Sequence, residues 1–529
     1  MNSLIRPTFW PEGLNRNLLG VAVLLVLWHI AASALTGSYM LAGPTAVINY
    51  LIAEHALIGR ALAVTLQNAA WGFLAGNLAA IGLALLVTLL PALRLPIGAV
   101  ALVVFCLPLV ATGPVLRVLY GPGPGPQITL AALSVYYTTF LPLLVGLRAA
   151  PGSWFDLITL YGRGAWSTFI HIRIMASLPY LMAGLQIAAP AAFLGAMVGE
   201  FTGADRGMGV LALRAMRGLD VDATWTLALV AALVSMIAYG AIGLLAAWLG
   251  TSKPDILLAT APAKTSGNVA SVLRSVTFVL ATIVLILISW WVAMEAFALS
   301  RFFAKRPDDI WRYLMTAPDA SANRAVLWAA SQATLVQVIP GYLAGLGVGA
   351  ALAMLLMLRP GLSGAVLPVA IALRSVPIVT TAPLIVLALG RGAAGTITIV
   401  AVMTFFPALV ACMQGLRQAP GQVLDVMRLY ATTPLARLWY AQLPAMLPGF
   451  FAAARLSVPV AILAVTVAEW LATGRGLGAL MAMTASTSDY NLLWSAIVVV
   501  TAGASIGYAL VGGVERLILS RLAPEQLKP

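Results

Sequence analysis

The chain has 529 residues, 61% of them hydrophobic and only 9% charged, with a formal net charge of +13. A soluble domain carries roughly 25% charged residues, so this composition cannot clothe a water-facing surface and the solvent must be lipid. The basic residues are scattered between apolar runs rather than gathered in one patch, which argues against a nucleic-acid partner, and two isolated cysteines (Cys106, Cys412) with three histidines form no thiol motif and no metal spacing.

A helix crossing the hydrocarbon core needs about 20 mostly apolar residues. In chain order the candidates are 18–35, 61–90, 96–119, 128–147, 176–200 and 225–250, then 277–298, 325–358, 364–389, 396–415, 449–471 and 494–514. Strand alternation is absent, which excludes a β-barrel. Arg6 and Arg16 precede the first run, and Ala32-Ser33-Ala34 resembles a cleavage site. However, Trp28, Pro44 and Tyr50 recur as Trp291, Pro307 and Tyr313, 263 positions on. An internal copy is no signal peptide, so the first helix is expected to be retained.

The rest of the chain repeats itself at a shift of 269. Thr65-Leu66 returns as Thr334-Leu335, Pro108 as Pro377, Gly146-Leu147-Arg148 as Gly415-Leu416-Arg417, Leu160-Tyr161 as Leu429-Tyr430, Glu200 as Glu469, Asp220 as Asp489 and Trp225 as Trp494. This is a duplicated membrane domain. The expected fold is an all-α polytopic membrane protein of about 12 transmembrane helices. Six per half returns each half to the side it started from, so the repeats are parallel. The expected units are a first domain over 1–250, a cytoplasmic linker over 251–274 that is rich in Ala, Pro, Ser, Thr and Lys, and a second domain over 275–529. The Gly-Pro run 121–126 reads as a tight loop, and its shorter-looking counterpart at Gly390-Arg391-Gly392 predicts a gap of about four residues in the repeat.

Lysine and arginine are modestly in excess on the side holding both termini and the loops after the fourth span of each half, which makes that side cytoplasmic. Those loops carry the chemistry. The first starts at Asp156, runs through Tyr161-Gly162 and ends at Leu178-Pro179; the second starts at Asp425, runs through Tyr430-Ala431 and ends at Leu443-Pro444 and Pro448. Each reads as an acidic residue, a short amphipathic helix, a turn, and a proline opening the next span.

The loops resemble the EAA signature of ABC importer membrane subunits: an acid, small or apolar residues, a glycine, then a Leu-Pro. Asp156 and Gly162 fit in the first copy, where Met175 replaces the first proline. Asp425, Leu443 and Pro444 fit in the second, where Ala431 replaces the glycine. Gly199-Glu200-Phe201 with Gly207-Met208-Gly209, and Ala468-Glu469-Trp470 with Gly476-Leu477-Gly478, resemble the nitrate/sulfonate/taurine branch. The resemblance covers nearly the whole chain. It implies two fused type I ABC importer permease domains, both loops acting as coupling helices against a cytoplasmic ABC ATPase dimer. It further implies a periplasmic solute-binding protein as partner, lipid around the spans, and the bacterial inner (plasma) membrane as location with both termini cytoplasmic. The outer loops 207–216, 476–483 and 301–324 would then meet the binding protein.

No Gly-x-x-x-x-Gly-Lys-Ser/Thr occurs, so ATP-Mg would be bound by the separate ATPase and this chain is expected to hold no cofactor. Arg374 and Arg455 lie within predicted spans opposite uncharged Phe105 and Gln186. An intramembrane charge costs about 2.5–3.5 kcal/mol, so these arginines are candidate pathway residues for a small anion, with a structural pair such as Arg455–Glu469 as the plainer reading. Glu200 and Glu469 are candidates for the pathway gate or for capping the loop that follows; without a nucleophile or metal motif nearby they do not suggest catalysis. The competing class is a secondary transporter of two six-helix repeats, which the duplicated coupling loop disfavours.

Overall fold

The computed structural model describes residues 25–26, 28–35, 41–121, 123–251, 269–363, 366, 370, 382, 385, 389–390 and 392–522. Most of the expected linker and of the span 364–389, with Arg374, lies outside them. Among the described residues all regular structure is helical.

Eight helices among the described residues are long and apolar enough to cross a membrane, in two matching sets of four. In the first half these are α2 (His55–Leu89), α5 (Gly125–Gly146), α7 (Ala165–Phe201) and α9 (Val221–Trp248). In the second half they are α12 (Ala320–Leu358), α13 (Ala393–Arg417), α15 (Pro434–Leu471) and α17 (Tyr490–Leu522). Between them lie α1 (Pro44–Ala53), the bent pair α3 (Pro91–Phe105) and α4 (Leu109–Tyr120), α6 (Gly152–Leu160), α8 (Met208–Arg217), α10 (Val269–Ala296), α11 (Pro307–Trp311), α14 (Gly421–Leu429) and α16 (Leu477–Ser486).

Hydrophobicity alone predicts one span over 96–119, but α3 and α4 meet at 93°. Pro108 sits at the break with extended backbone (φ −72°, ψ 102°) and has no N–H to carry the helix through. Apolarity is preserved across the bend, so the composition of the run does not reveal it.

Each half is built on one three-helix stack: α5 packs between α2 and α7, and α13 between α12 and α15. Lipid supplies no hydrophobic drive between helices, so close approach of small residues does the holding. Gly76 of α2 and Gly345 of α12 are repeat mates, and a Cβ on either would lie 2.6 Å from the carbonyl oxygen of Ala132 or Ala401. These contacts keep the 269 shift immediately after the Gly-Pro loop. Gly121 and Gly390 likewise share a left-handed φ of 70° and 84°. The expected four-residue gap is therefore absent: 121–126 and 390–395 are six residues each, and the differing prolines alone made the second copy look shorter.

The halves share a core. Val110 and Val198 of the first half pack with Ile399, Ala464 and Val465 of the second. Ala111 of α4 is buried against Leu477, Met481 and Leu493. Beyond the bend at Pro108, α4 packs on α5 and α7 of its own half and also reaches α15, α16 and α17 of the other.

Candidate functional site: paired loop helices and a central cavity

The α6 and α14 helices follow Pro151 and Pro420, each nine residues long. Each ends at a left-handed residue, Gly162 (φ 66°) and Ala431 (φ 51°), which turns the chain back toward the next span. A β-carbon is strained in that conformation, so the second copy keeps the turn with the less suitable residue. Thr433 then caps the restart, its Oγ1 accepting from the Ala436 N–H at 3.2 Å. A π-turn follows in both copies, at Phe169–Ile174 and Leu438–Gln442, before half-buried Leu443-Pro444 roots the second loop in α15.

At their tips these loops hold large apolar side chains out to solvent. Leu160 and Tyr161 are 85% and 75% exposed, and their mates Leu429 and Tyr430 are 85% and 81% exposed. Asp156 and Asp425 are exposed as well; Asp425 meets Arg428 at 2.8 Å in a surface pair of little energetic weight. Large apolar side chains held out on a rigid, duplicated loop mark a contact surface. Beside the first loop, burial, then Arg94 and Arg173, hold the Arg148 guanidinium below its ordinary value.

At the far ends of α7 and α15 the two glutamates form the same clasp. Thr65 Oγ1 donates to Glu200 Oε1 at 2.7 Å, the Gly209 N–H donates to Glu200 Oε2 at 2.7 Å, and the Met208 N–H donates to Thr65 Oγ1 at 2.8 Å. In the second half Thr334, Gly478 and Leu477 make the same three bonds around Glu469 at 2.8, 2.8 and 2.9 Å. A carboxylate at the N-termini of α8 and α16 also complements the helix dipole. A Cβ on Gly207 or Gly476 would collide with the carboxylate, which accounts for the Gly-x-Gly after each glutamate. Both glutamates are fully buried and committed to this bonding, so of the two roles the sequence offered, the geometry favours the cap. The threonines are the participants that sequence reasoning left without a role, although their recurrence at the glutamates' own shift was visible.

Between the halves lies a cavity of about 220 Å³. Repeat mates line it in pairs, among them Pro190 with Pro459, Leu194 with Leu463 and Val198 with Val467. Phe105 lines it too; its mate Arg374 lies outside the described residues. Arg455 is not among the lining residues. It sits 3.1 Å (Nε to Oε2) from Glu515 of α17, in place of the Glu469 that the sequence offered, with the N–H poorly aligned for a hydrogen bond. Its guanidinium also lies 5.8 Å from the centre of the Tyr508 ring. In the first half the mate Gln186 donates to the Tyr239 carbonyl at 3.3 Å, and Tyr239 is the mate of Tyr508.

Among the described residues, eight long apolar helices in two matched sets, with matched loops at one end and matched clasps at the other, define a polytopic membrane protein whose two halves share a core and line one cavity. The chain belongs to the family described as the binding-protein-dependent transport system inner membrane component, whose sequence model matches it twice, over residues 72–251 and 344–522. It is a transport component of the ABC type rather than an enzyme. A Haemophilus influenzae protein named "Probable ABC transporter permease protein" is 31% identical over 211 residues, covering 39% of this chain and 85% of the relative. The formylaminopyrimidine transport permease ThiX of Halalkalibacterium halodurans is 25% identical over 187 residues, 35% of this chain and 75% of the relative. The Escherichia coli taurine transport permease TauC is 24% identical over 252 residues, 47% of this chain and 90% of its own length.

Proposed function

We propose that this chain is the complete pair of permease domains of an ABC importer, folded as one polypeptide in a bacterial inner membrane with both termini in the cytoplasm. Two copies of a separate ATPase dock on α6 and α14, and ATP-Mg is bound there. A periplasmic binding protein delivers the solute to the opposite face. The carrying observation is the pair of repeat-related loop helices, each holding an exposed Leu-Tyr at its tip. Such levers turn ATPase closure into a rocking of the two halves. The named relatives, with their formylaminopyrimidine and taurine permeases, support a small organic solute or a sulfonate-like anion.

The test is co-purification of the ATPase with tagged permease. Tyr161→Asp combined with Tyr430→Asp is expected to abolish the association and uptake while the chain remains monodisperse; either change alone is expected to weaken both. Full uptake by the purified chain in vesicles with no ATPase present would remove the assignment.

A further inference from the structure

The central cavity is symmetric in position but not in chemistry. Most lining mates are alike, as with Pro190 and Pro459 or Leu194 and Leu463. One turn apart on α5, however, the first half presents Ser134 and Thr138, where the second half presents Met403 and Pro407. Residues four apart share a helix face, so the two hydroxyls form one small polar strip opposite an apolar wall. Ser235 of α9 adds a third hydroxyl from the same half.

The protons of both strip hydroxyls are already spoken for. Ser134 Oγ donates to the Leu130 carbonyl at 2.8 Å, and Thr138 Oγ1 donates to the Val135 carbonyl at 2.7 Å. Each oxygen is left with lone pairs and no hydrogen to give. A bare anion at this strip would have to draw those protons off the helix carbonyls, whereas an N–H or O–H donor finds them ready. Among the described residues that line the cavity there is no lysine or arginine. Its volume lies below the roughly 300–1,000 Å³ of sites for drug-sized ligands, so the occupant is small.

Resting on the permease reading above, we propose that this cavity is a transit site that accepts its solute in one orientation. A donor-bearing end, amine, ammonium or ring N–H, lies on Ser134 and Thr138 of the first half, and an apolar face lies on Met403 and Pro407 of the second. The solute class is a small organic molecule carrying N–H groups, and the fused chain fixes which half meets which end. Two identical subunits related by symmetry would present the hydroxyls on both sides or on neither.

The experiment is calorimetric titration of the full chain in lipid nanodiscs with cytosine and sodium nitrate as separate probes. It needs no ATPase, so it can fail while ATPase docking stands, and the reverse. Binding of cytosine is expected, weakened about tenfold in the Ser134→Ala, Thr138→Val double variant through two lost acceptors and retained in Thr138→Ser. The retained Thr138→Ser binding separates lost hydrogen bonding from a damaged fold. Three results would each overturn the proposal: no binding of cytosine, cytosine binding indifferent to the double variant, or nitrate binding that survives the double variant and disappears in Arg374→Ala.

Discussion

Arg455 shows how a single residue can mislead and then inform. A charge in an apolar run reads as a functional group, yet the structure gives it Glu515 for a neighbour and the Tyr508 ring for a platform. Glu515 lies 60 positions away on another helix, and no local pattern announces the pairing. The first half solves the same place without charge: Gln186 stands for Arg455 and, at the same shift, Ala246 stands for Glu515. Breaking a buried pair by removing one member costs about 3–5 kcal/mol, whereas removing both is often close to neutral. Glu515→Ala is therefore expected to lower thermal stability in nanodiscs markedly. The double variant Arg455→Gln, Glu515→Ala, which copies the first half, is expected to recover most of that loss. The same double variant decides the pathway role: unchanged uptake makes Arg455 structural, while a stable fold with lost uptake makes it part of the solute's route.

At the scale of elements, the clasp is a stronger claim than either glutamate alone. Thr334 Oγ1 gives its proton to Glu469 and accepts the Leu477 N–H, so one hydroxyl ties α12 to α15 and to the start of α16. Thr334→Val keeps the shape but leaves a buried carboxylate oxygen and a buried backbone N–H without a partner. An unsatisfied buried group costs about 1–3 kcal/mol, so a loss of at least 2 kcal/mol is expected, with Thr334→Ser largely spared. Hydrogen exchange at Leu477 and Gly478 provides a local measurement: faster exchange there in the valine variant is the expected outcome, and unchanged protection would mean that the clasp does not hold α16.

The elements also show what a sequence can and cannot disclose. The 269 shift made both loops and both glutamates legible in advance, and it paired Asp220 with Asp489 without disclosing what they do. Those aspartates turn out to cap helix starts, accepting the Ala223 and Leu492 N–H groups at 2.9 and 3.1 Å. The break between α3 and α4 was not legible, because a bent and a straight apolar helix have the same composition. Nor were Ser134 and Thr138, because a search for repeats discards the positions where the copies differ, and there the cavity acquires its direction.

At the scale of the whole molecule, the fused chain raises the question of what fusion adds. The shared cores answer in part: Val110, Ala111 and Val198 are buried in clusters that residues of the other half complete, so α4 loses part of its apolar packing when its half is alone and keeps only its contacts with α5 and α7. The halves should therefore bind one another without a covalent link. Expressed as two chains cut within 251–274, residues 1–250 and 275–529 are expected to co-purify through a tag on either one, and to restore uptake when both are present with the ATPase. Linkage adds effective concentration, so the split form is expected to assemble less completely at low expression rather than to work differently once assembled. Val110→Asp places a charge in the shared core without touching the loops, and it should separate the split halves while leaving each loop helix intact. If each half instead purifies alone with its full stability and no affinity for the other, the cores described above do not join two domains into one path, and the pairing of levers across the molecule loses its mechanical basis.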